Sequence, residues 1–149
     1  MRDSTARRLS TLHRVAYRAT GGRIGRRLVR NDMLLLTTTG RVTRRPHTVP
    51  LLYLLDDAAP VVVASWGGRP DHPEWFANLV AEPSVGVEIL QRHFEATAIP
   101  MQEPERTAWW NRAVAAYDGY AGYQAKTDRV IPIVRLVPDG VGRRPAEHD

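Results

Sequence analysis

The chain has no cysteine among its 149 residues. That removes thiol nucleophiles, thiolate-held metals and any disulfide framework. A chain of this length buries about 68–70% of its unfolded surface, so one hydrophobic core can hold it without staples. Long apolar runs are missing too: none approaches the roughly 20 residues of a membrane-spanning helix. The N-terminal Arg residues are not followed by an apolar stretch and a small-residue cleavage site, so the expectation is a cytoplasmic protein with no export signal. Neither G-x-G-x-x-G nor G-x-x-x-x-G-K occurs, which argues against dinucleotide and P-loop nucleotide binding. His13, His47, His72, His93 and His148 share no metal-ligand spacing, so no metal site is expected. No carboxylate pair stands out for acid–base work, and Glu103 and Glu105 read as early-helix residues that favour the helix dipole.

Lysine is nearly absent, Lys126 being the only one among 21 basic side chains. The net charge of +5 is unevenly spread, since residues 1–30 carry nine Arg and one Asp and the remainder sums to −3. Within that arm Ser4–Ala19 reads as a helix, with Leu9, Leu12, Val15, Ala16 and Ala19 on one face and Arg7, Arg14 and Arg18 on the other. Gly21-Gly22 breaks it, and Ile24–Arg30 forms a second short helical piece. Two readings of the arm stand side by side. It packs on the body, or it makes peripheral contact with the inner face of an anionic membrane. A nucleic-acid partner is not expected, because the arm lacks an aromatic platform for stacking bases.

From residue 31 to 138 the pattern is of short strands with few helices. Met33–Thr39, Thr48–Leu55 and Pro60–Ser65 read as strands, with Asp56–Ala59 as a hairpin-length loop. Pro73–Ala81 reads as a helix capped by Asp71 or His72 and stopped by Pro83. Val85–Leu90 and His93–Pro100 form a hairpin around Gln91-Arg92. Glu103–Tyr117 is a helix with Trp109, Ala113 and Tyr117 on one face, and Val130–Val137 is the last strand. Residues 139–149 form a polar tail expected to fray. Hairpin-linked strands with two interposed helices and no βαβ alternation give an α+β class: an antiparallel, barrel-like sheet of about six strands, preceded by an N-terminal helix.

Leu34 to Tyr53, LLLTTTGRVTRRPHTVPLLY, is the most distinctive stretch. Two apolar runs flank a connector with one Gly and the three guanidinium groups of Arg41, Arg44 and Arg45. Forked, permanently charged donors beside exposed backbone N–H groups suit phosphate and carboxylate, although a basic hairpin turn is otherwise simply solvated. Pro50 lacks an N–H and belongs at an edge or irregular position of a sheet. Val63-Ala64-Ser65-Trp66-Gly67-Gly68 ends the third strand with small residues and paired Gly, which allow close approach to the backbone. DHPEWFANL places Trp75 and Asn78 three residues apart, on one helical face. YDGYAGYQAKTDRVIPIV spaces Tyr117, Tyr120 and Tyr123 by three, so that they share one face if that segment is helical. Lys126, Asp128 and Arg129 read as structural ion pairs.

Taken together, these segments closely resemble the deazaflavin-dependent nitroreductase and quinone reductase family, which uses coenzyme F-420. The resemblance covers about residues 33 to 138. It implies a split β-barrel related to the flavin-mononucleotide-binding oxidases. It also implies that Arg41, Val42, Thr43, Arg44, Arg45 and His47 meet the coenzyme's phosphate and polyglutamate tail. Thr48, Val49, Pro50, Leu51 and Leu52 line the deazaflavin ring, as do Val63, Ala64, Ser65 and Trp66. Glu74, Trp75 and Asn78 touch the coenzyme, Trp75 serving equally well as core. Tyr120 touches coenzyme from a lid whose Tyr117 and Tyr123 face the substrate. Ser65, Tyr117 and Tyr123 are the candidates for polarising and protonating the acceptor. Lys or Arg is frequent in the family where Val42 and His47 stand here, and Lys where Trp66 stands.

The implied activity is hydride transfer from reduced deazaflavin to a planar electrophile: a quinone, an activated enone or a nitroaromatic. Two alternatives remain at this stage, a flavin-mononucleotide-dependent oxidoreductase on the same barrel and a non-catalytic deazaflavin-binding module. Homodimerisation is left open.

Overall fold

The computed structural model describes residues 33–140. The expected helices of the N-terminal arm, and all of the tail beyond Gly140, lie outside the described residues. The strands are β1 (Met33–Thr39), β2 (Pro46–Leu52), β3 (Leu54–Asp56), β4 (Ala59–Val63), β5 (Ser84–Ile89), β6 (Arg92–Pro100) and β7 (Ile133–Pro138). The helices are α1 (Glu74–Ala81), α2 (Glu105–Ala116) and α3 (Gly119–Ala125), with one 3-10 turn at Trp66–Gly68.

All seven strands join one antiparallel sheet in the order β2-β1-β5-β6-β7-β4-β3. The first and last strands of that order are successive pieces of chain, separated only by Tyr53. The sheet therefore curls until its two edges meet, forming a split barrel. What reads in sequence as one strand, Thr48–Leu55, is bent at Tyr53, so that β2 pairs with β1 and β3 pairs with β4.

Period-2 alternation assigns the two faces. Leu34 and Leu36 of β1, Val62 of β4, Val85 and Val87 of β5, Ala96 and Ala98 of β6, and Val134 and Leu136 of β7 fill the barrel, where Trp75 and Leu79 of α1 join them. Each large aliphatic side chain hidden there contributes roughly 1.5–3 kcal/mol. The intervening residues Val61, Val63 and Ile133 face outward and would be wet without a cover. Trp109 and Ala113 of α2 and Tyr120 of α3 provide it, completing a second cluster.

Several boundaries move from their expected places. The β5–β6 turn centres on Leu90 and Gln91, at φ 47° and 71°, and not on Gln91-Arg92. Two left-handed residues match the twist of a two-residue hairpin, so the pairing register outweighs their conformational cost. Helix α1 starts at Glu74 with Pro73 at its N-cap, and neither Asp71 nor His72 caps it. The start of α2 is secured by Glu103, whose Oε1 accepts from the Thr107 N–H at 2.9 Å and its hydroxyl at 2.7 Å. Those two bonds lower its carboxyl pKa. Glu105 instead joins Asp56 in binding Arg135 of β7, at 2.7 and 2.8 Å, tying α2 to the sheet. Tyr120 and Tyr123 lie in a third helix, α3, whereas Tyr117 stands in extended conformation at the end of α2.

Candidate functional site

The β1–β2 connector is a tight, self-bonded turn. The Gly40 N–H donates to the Arg45 carbonyl at 2.8 Å, and the Arg44 N–H to the Gly40 carbonyl at 2.9 Å. Arg44 takes φ 61° to close it. Thr43 Oγ1 accepts from the Arg45 N–H at 3.2 Å and lies 3.2 Å from His47 Nε2, so the base of the turn is stiff. Val42 projects at the tip, and Arg44 and Arg45 are exposed beside it. Arg41 differs. Its backbone N–H donates to Asn78 Oδ1 at 3.1 Å, and its Nη1 reaches Asn78 Oδ1 and Glu74 Oε1, each at 2.9 Å. The resemblance implied a coenzyme contact for each of the three; the fold joins Arg41 to Glu74 and Asn78 across 33 and 37 positions of sequence.

The end of β4 forms a second corner. Trp66, Gly67 and Gly68 all have positive φ (44°, 63° and 82°), turning the chain sharply after Ser65. The Arg69 guanidinium lies 4.4 Å above the Trp66 ring, a cation–π contact. Helix α3 rests directly on Gly68, where an added Cβ would sit 2.5 Å from the Tyr123 carbonyl oxygen.

Arg129 fastens this corner, and not as the ion pair expected of it. Its Nε donates to the Arg69 carbonyl at 2.9 Å, Nη1 to the Ala64 carbonyl at 3.2 Å and Nη2 to the Ser65 carbonyl at 2.8 Å. Nη1 also lies 2.8 Å from His72 Nδ1. Burial, then the Arg129 charge, lowers the His72 pKa, so the ring is the acceptor in that contact. Gln124 holds the loop from within, donating to the carbonyls of Thr127 and Arg129 and accepting from the Ile131 N–H. Lys126 sits 5.8 Å from the Tyr123 ring centre.

The tyrosines form one cluster. Tyr117 and Tyr120 meet edge to face at 5.1 Å, and the Tyr117 and Tyr123 hydroxyls are 3.3 Å apart. That bond, then burial, raises the Tyr123 pKa. Burial raises Tyr120 further, so both phenols are neutral near pH 7.

Beside them opens a cleft of about 360 Å³, lined by Leu52, Leu54, Val61, Val63, Ala113 and Tyr117 among others. Its size lies within the range of small-molecule sites. Tyr120 also lines it; Ser65 and Tyr123 do not, Ser65 being a mostly buried residue two positions beyond Val63. Val49, Leu51, Ala64 and Trp75 pack with the barrel interior, so their side chains turn away from the cleft. Thr48 is held on the outer face by Thr37, Oγ1 to Oγ1 at 2.7 Å. Pro50 pairs with Leu35 on what is the outer edge strand of the hydrogen-bond ladder, the placement a residue without an N–H requires.

The two halves of the site are joined by β2. Arg45 stands at its start and Leu52 at its end, about 23 Å apart at a strand's rise of about 3.3 Å per residue. A basic turn at one end and an apolar, tyrosine-walled cleft at the other suit an elongated ligand with a flat ring and an anionic tail.

The sequence of residues 9–138 matches the family of F420H(2)-dependent quinone reductases. The chain belongs to that family. An F420H(2)-dependent quinone reductase of Mycobacterium tuberculosis is 40% identical over 136 residues, which span 86% of this chain and 89% of that protein. The solved F420-H2 dependent reductase FDR-A is 40% identical and superposes with a TM-score of 0.65, over 70% of this chain and 92% of that one. A structure described as a domain-swapped dimer has the same identity and TM-score, over 70% and 78% of the two chains.

Membership makes the protein an oxidoreductase with coenzyme F420 as its cofactor, and the split barrel is the fold it shares with FDR-A. The donor set of this quinone reductase family member fits that group: exposed guanidinium groups for phosphate and carboxylate, and an apolar cleft for the ring. Sequence reasoning missed Leu54, Leu55, Val61 and Ala116, which also line the cleft. Val63 came from the resemblance, and the period-2 rule applied from it would have marked Val61 as well. Arg129 carried no such signal, since its partners are backbone carbonyls some 60 residues away.

Proposed function

We propose that this protein transfers hydride from reduced F420 to a quinone bound in the tyrosine-walled cleft. The observation that carries the reading is the arrangement along β2, with exposed cations at its start and the cleft at its end. When bound, the coenzyme supplies a hydride donor, and a quinone that takes up that hydride and one proton becomes a hydroquinone. The chain's part is placement and exclusion of water. Arg41, Arg44 and Arg45 hold the anionic tail, aided by Thr43 and His47, with Val42 at the rim. The outer face and edge of β2 from Thr48 to Leu52, with Val63, support the ring.

Tyr117 is the residue best situated to act on the acceptor. It lines the cleft, and its hydroxyl is bonded to that of Tyr123, which can relay a proton from the protein surface. A neutral phenol donates to the acceptor oxygen as charge develops there, which typically contributes about 10²–10⁴-fold in rate. Tyr120 stacks at the cleft wall. Ser65, beneath the Trp66 corner, contributes through the shape of that corner. A quinone is favoured over an enone or nitroaromatic because a flat six-membered dione matches an aromatic-walled cleft with two adjoining phenols. The domain-swapped relative supports a homodimer as the solution state.

Oxidation of reduced F420, followed by its absorbance with a naphthoquinone, a cyclic enone and a nitroaromatic in parallel, tests the reading. The quinone is expected to give the highest kcat/KM, and Tyr117→Phe to lower kcat at least tenfold with the coenzyme Kd unchanged. Preferred turnover of the nitroaromatic or enone, or a Tyr117→Phe enzyme as fast as wild type, would overturn it.

A further inference from the structure

Among the three arginines of the β1–β2 turn, only Arg41 is held in place. Arg44 has a side chain 63% exposed and stands 3.9 Å from Glu82, a contact too long and too wet to order it. Arg41 Nη1 carries two hydrogens, and both are engaged, one by Glu74 Oε1 and one by Asn78 Oδ1. Asn78 is a firm post. It is 4% exposed, its Oδ1 also receives the Arg41 backbone N–H, and its Nδ2 donates to the buried Thr38 Oγ1 at 3.2 Å. One amide thus links β1, the turn and α1. Among the described residues, Nε and Nη2 of Arg41 have no hydrogen-bond partner. Those two nitrogens form the side-on fork of a guanidinium, the edge that takes two oxygens of a phosphate or carboxylate at once.

We propose that Glu74 and Asn78 are positioning residues that clamp Nη1 of Arg41, so that its Nε–Nη2 edge meets the coenzyme's phosphodiester as a preset fork. The inference rests on the reading of this turn as the anchor of the anionic tail. It assigns Glu74 a role that charge alone does not. A carboxylate beside a polyanionic ligand repels it, so on charge counting its removal tightens binding. As a clamp on Arg41 it acts in the opposite direction, because a fork fixed before the ligand arrives loses less freedom on binding. Arg44 and Arg45, unclamped, add attraction that salt screens.

The two accounts differ in sign, which a binding measurement reads directly. Full-length protein is titrated at low salt with oxidised coenzyme F420 and, separately, with the deazaflavin nucleoside that lacks phosphate and tail, following tryptophan fluorescence. Glu74 is 67% exposed, so Glu74→Gln keeps the fold, and a melting curve verifies this. Glu74→Gln is expected to bind F420 about three- to fivefold more weakly, the scale of losing an exposed, geometrically useful pair, with nucleoside affinity unchanged. Glu74→Asp, which keeps the carboxylate, recovers part of the loss. In an Arg41→Ala background, Glu74→Gln produces no further weakening. Equal or tighter F420 binding by Glu74→Gln overturns the clamp, as does an equal loss for the nucleoside. A wild-type protein that binds nucleoside and F420 alike overturns the tail-anchor reading of the turn instead.

Discussion

Replacing Arg129 with Ala removes a guanidinium that joins four segments of chain. Three carbonyl oxygens, those of Ala64, Ser65 and Arg69, lose a charged donor at 2.8 to 3.2 Å, and His72 Nδ1 loses its partner. A hydrogen bond to a charged group contributes roughly 1.5–3 kcal/mol, less where water can replace the donor. Ser65 keeps the Gly68 N–H at 2.9 Å on its carbonyl, so that oxygen is not orphaned. The Ala64 residue is fully buried, so its carbonyl bears the full loss. The expected cost is about 2–4 kcal/mol. Arg129→Lys keeps the charge but presents one nitrogen where three carbonyls diverge, and should cost about half as much. Urea unfolding followed by tryptophan fluorescence measures both, with an unchanged slope to certify the comparison. Because Arg129 follows α3 in the chain, the Ala variant should also show faster amide exchange over Gly119–Ala125. An Arg129→Ala protein within about 0.5 kcal/mol of wild type would refute the reasoning, since it would mean that the corner holds its shape unaided.

Two further outcomes follow from the same corner. Gly68→Ala puts a Cβ 2.5 Å from the Tyr123 carbonyl oxygen and 2.9 Å from its Cα, at φ 82°. Backbone cannot yield as a flexible side chain does, so α3 shifts outward; a loss of about 2–4 kcal/mol in the same urea assay is expected, together with reduced kcat from displaced tyrosines. Stability should also fall on mild acidification because of His72, whose folded pKa lies below the ordinary 6.5. The unfolded ring binds a proton first, so stability is complete above about pH 6.5 and declines as pH falls from there towards the folded value. Asp71 opposes this shift and Arg129 reinforces it. His72→Asn should remove this component from the pH–stability profile, and an unchanged profile would reject it.

Much of the architecture was legible in the residues. Runs of apolar and β-branched residues in Met33–Thr39 and Pro60–Ser65 marked strands, because such side chains pack well on a pleated sheet. The small residues and paired glycines after Val63 marked a sharp corner. Less legible was which side of a strand faced which neighbour. Helical spacing alone left Trp75 open between core and coenzyme contact, and only the packing of α1 shows it buried with Leu79 in the barrel cluster. Lys126, Asp128 and Arg129 looked like an ion-pair set, because sequence displays charges and conceals backbone carbonyls. Arg129 instead serves three carbonyls brought to it from the other side of the molecule.

The family, the basic turn, the tyrosine set and the absence of thiol chemistry were all readable in the residues, since these depend on residue identity and spacing along the chain. Folding in three dimensions was needed to bend β2 and β3 apart at Tyr53 and close the barrel, to wall a cleft against Val61 and Val63 with α2 and α3, and to grip Arg41 but not Arg44 between Glu74 and Asn78. Those are outcomes of curling a sheet until residues 33 or more positions apart meet, 33 for Arg41 with Glu74 and 37 for Arg41 with Asn78. The distances at which they meet, not their identities, separate a clamped guanidinium from a solvated one.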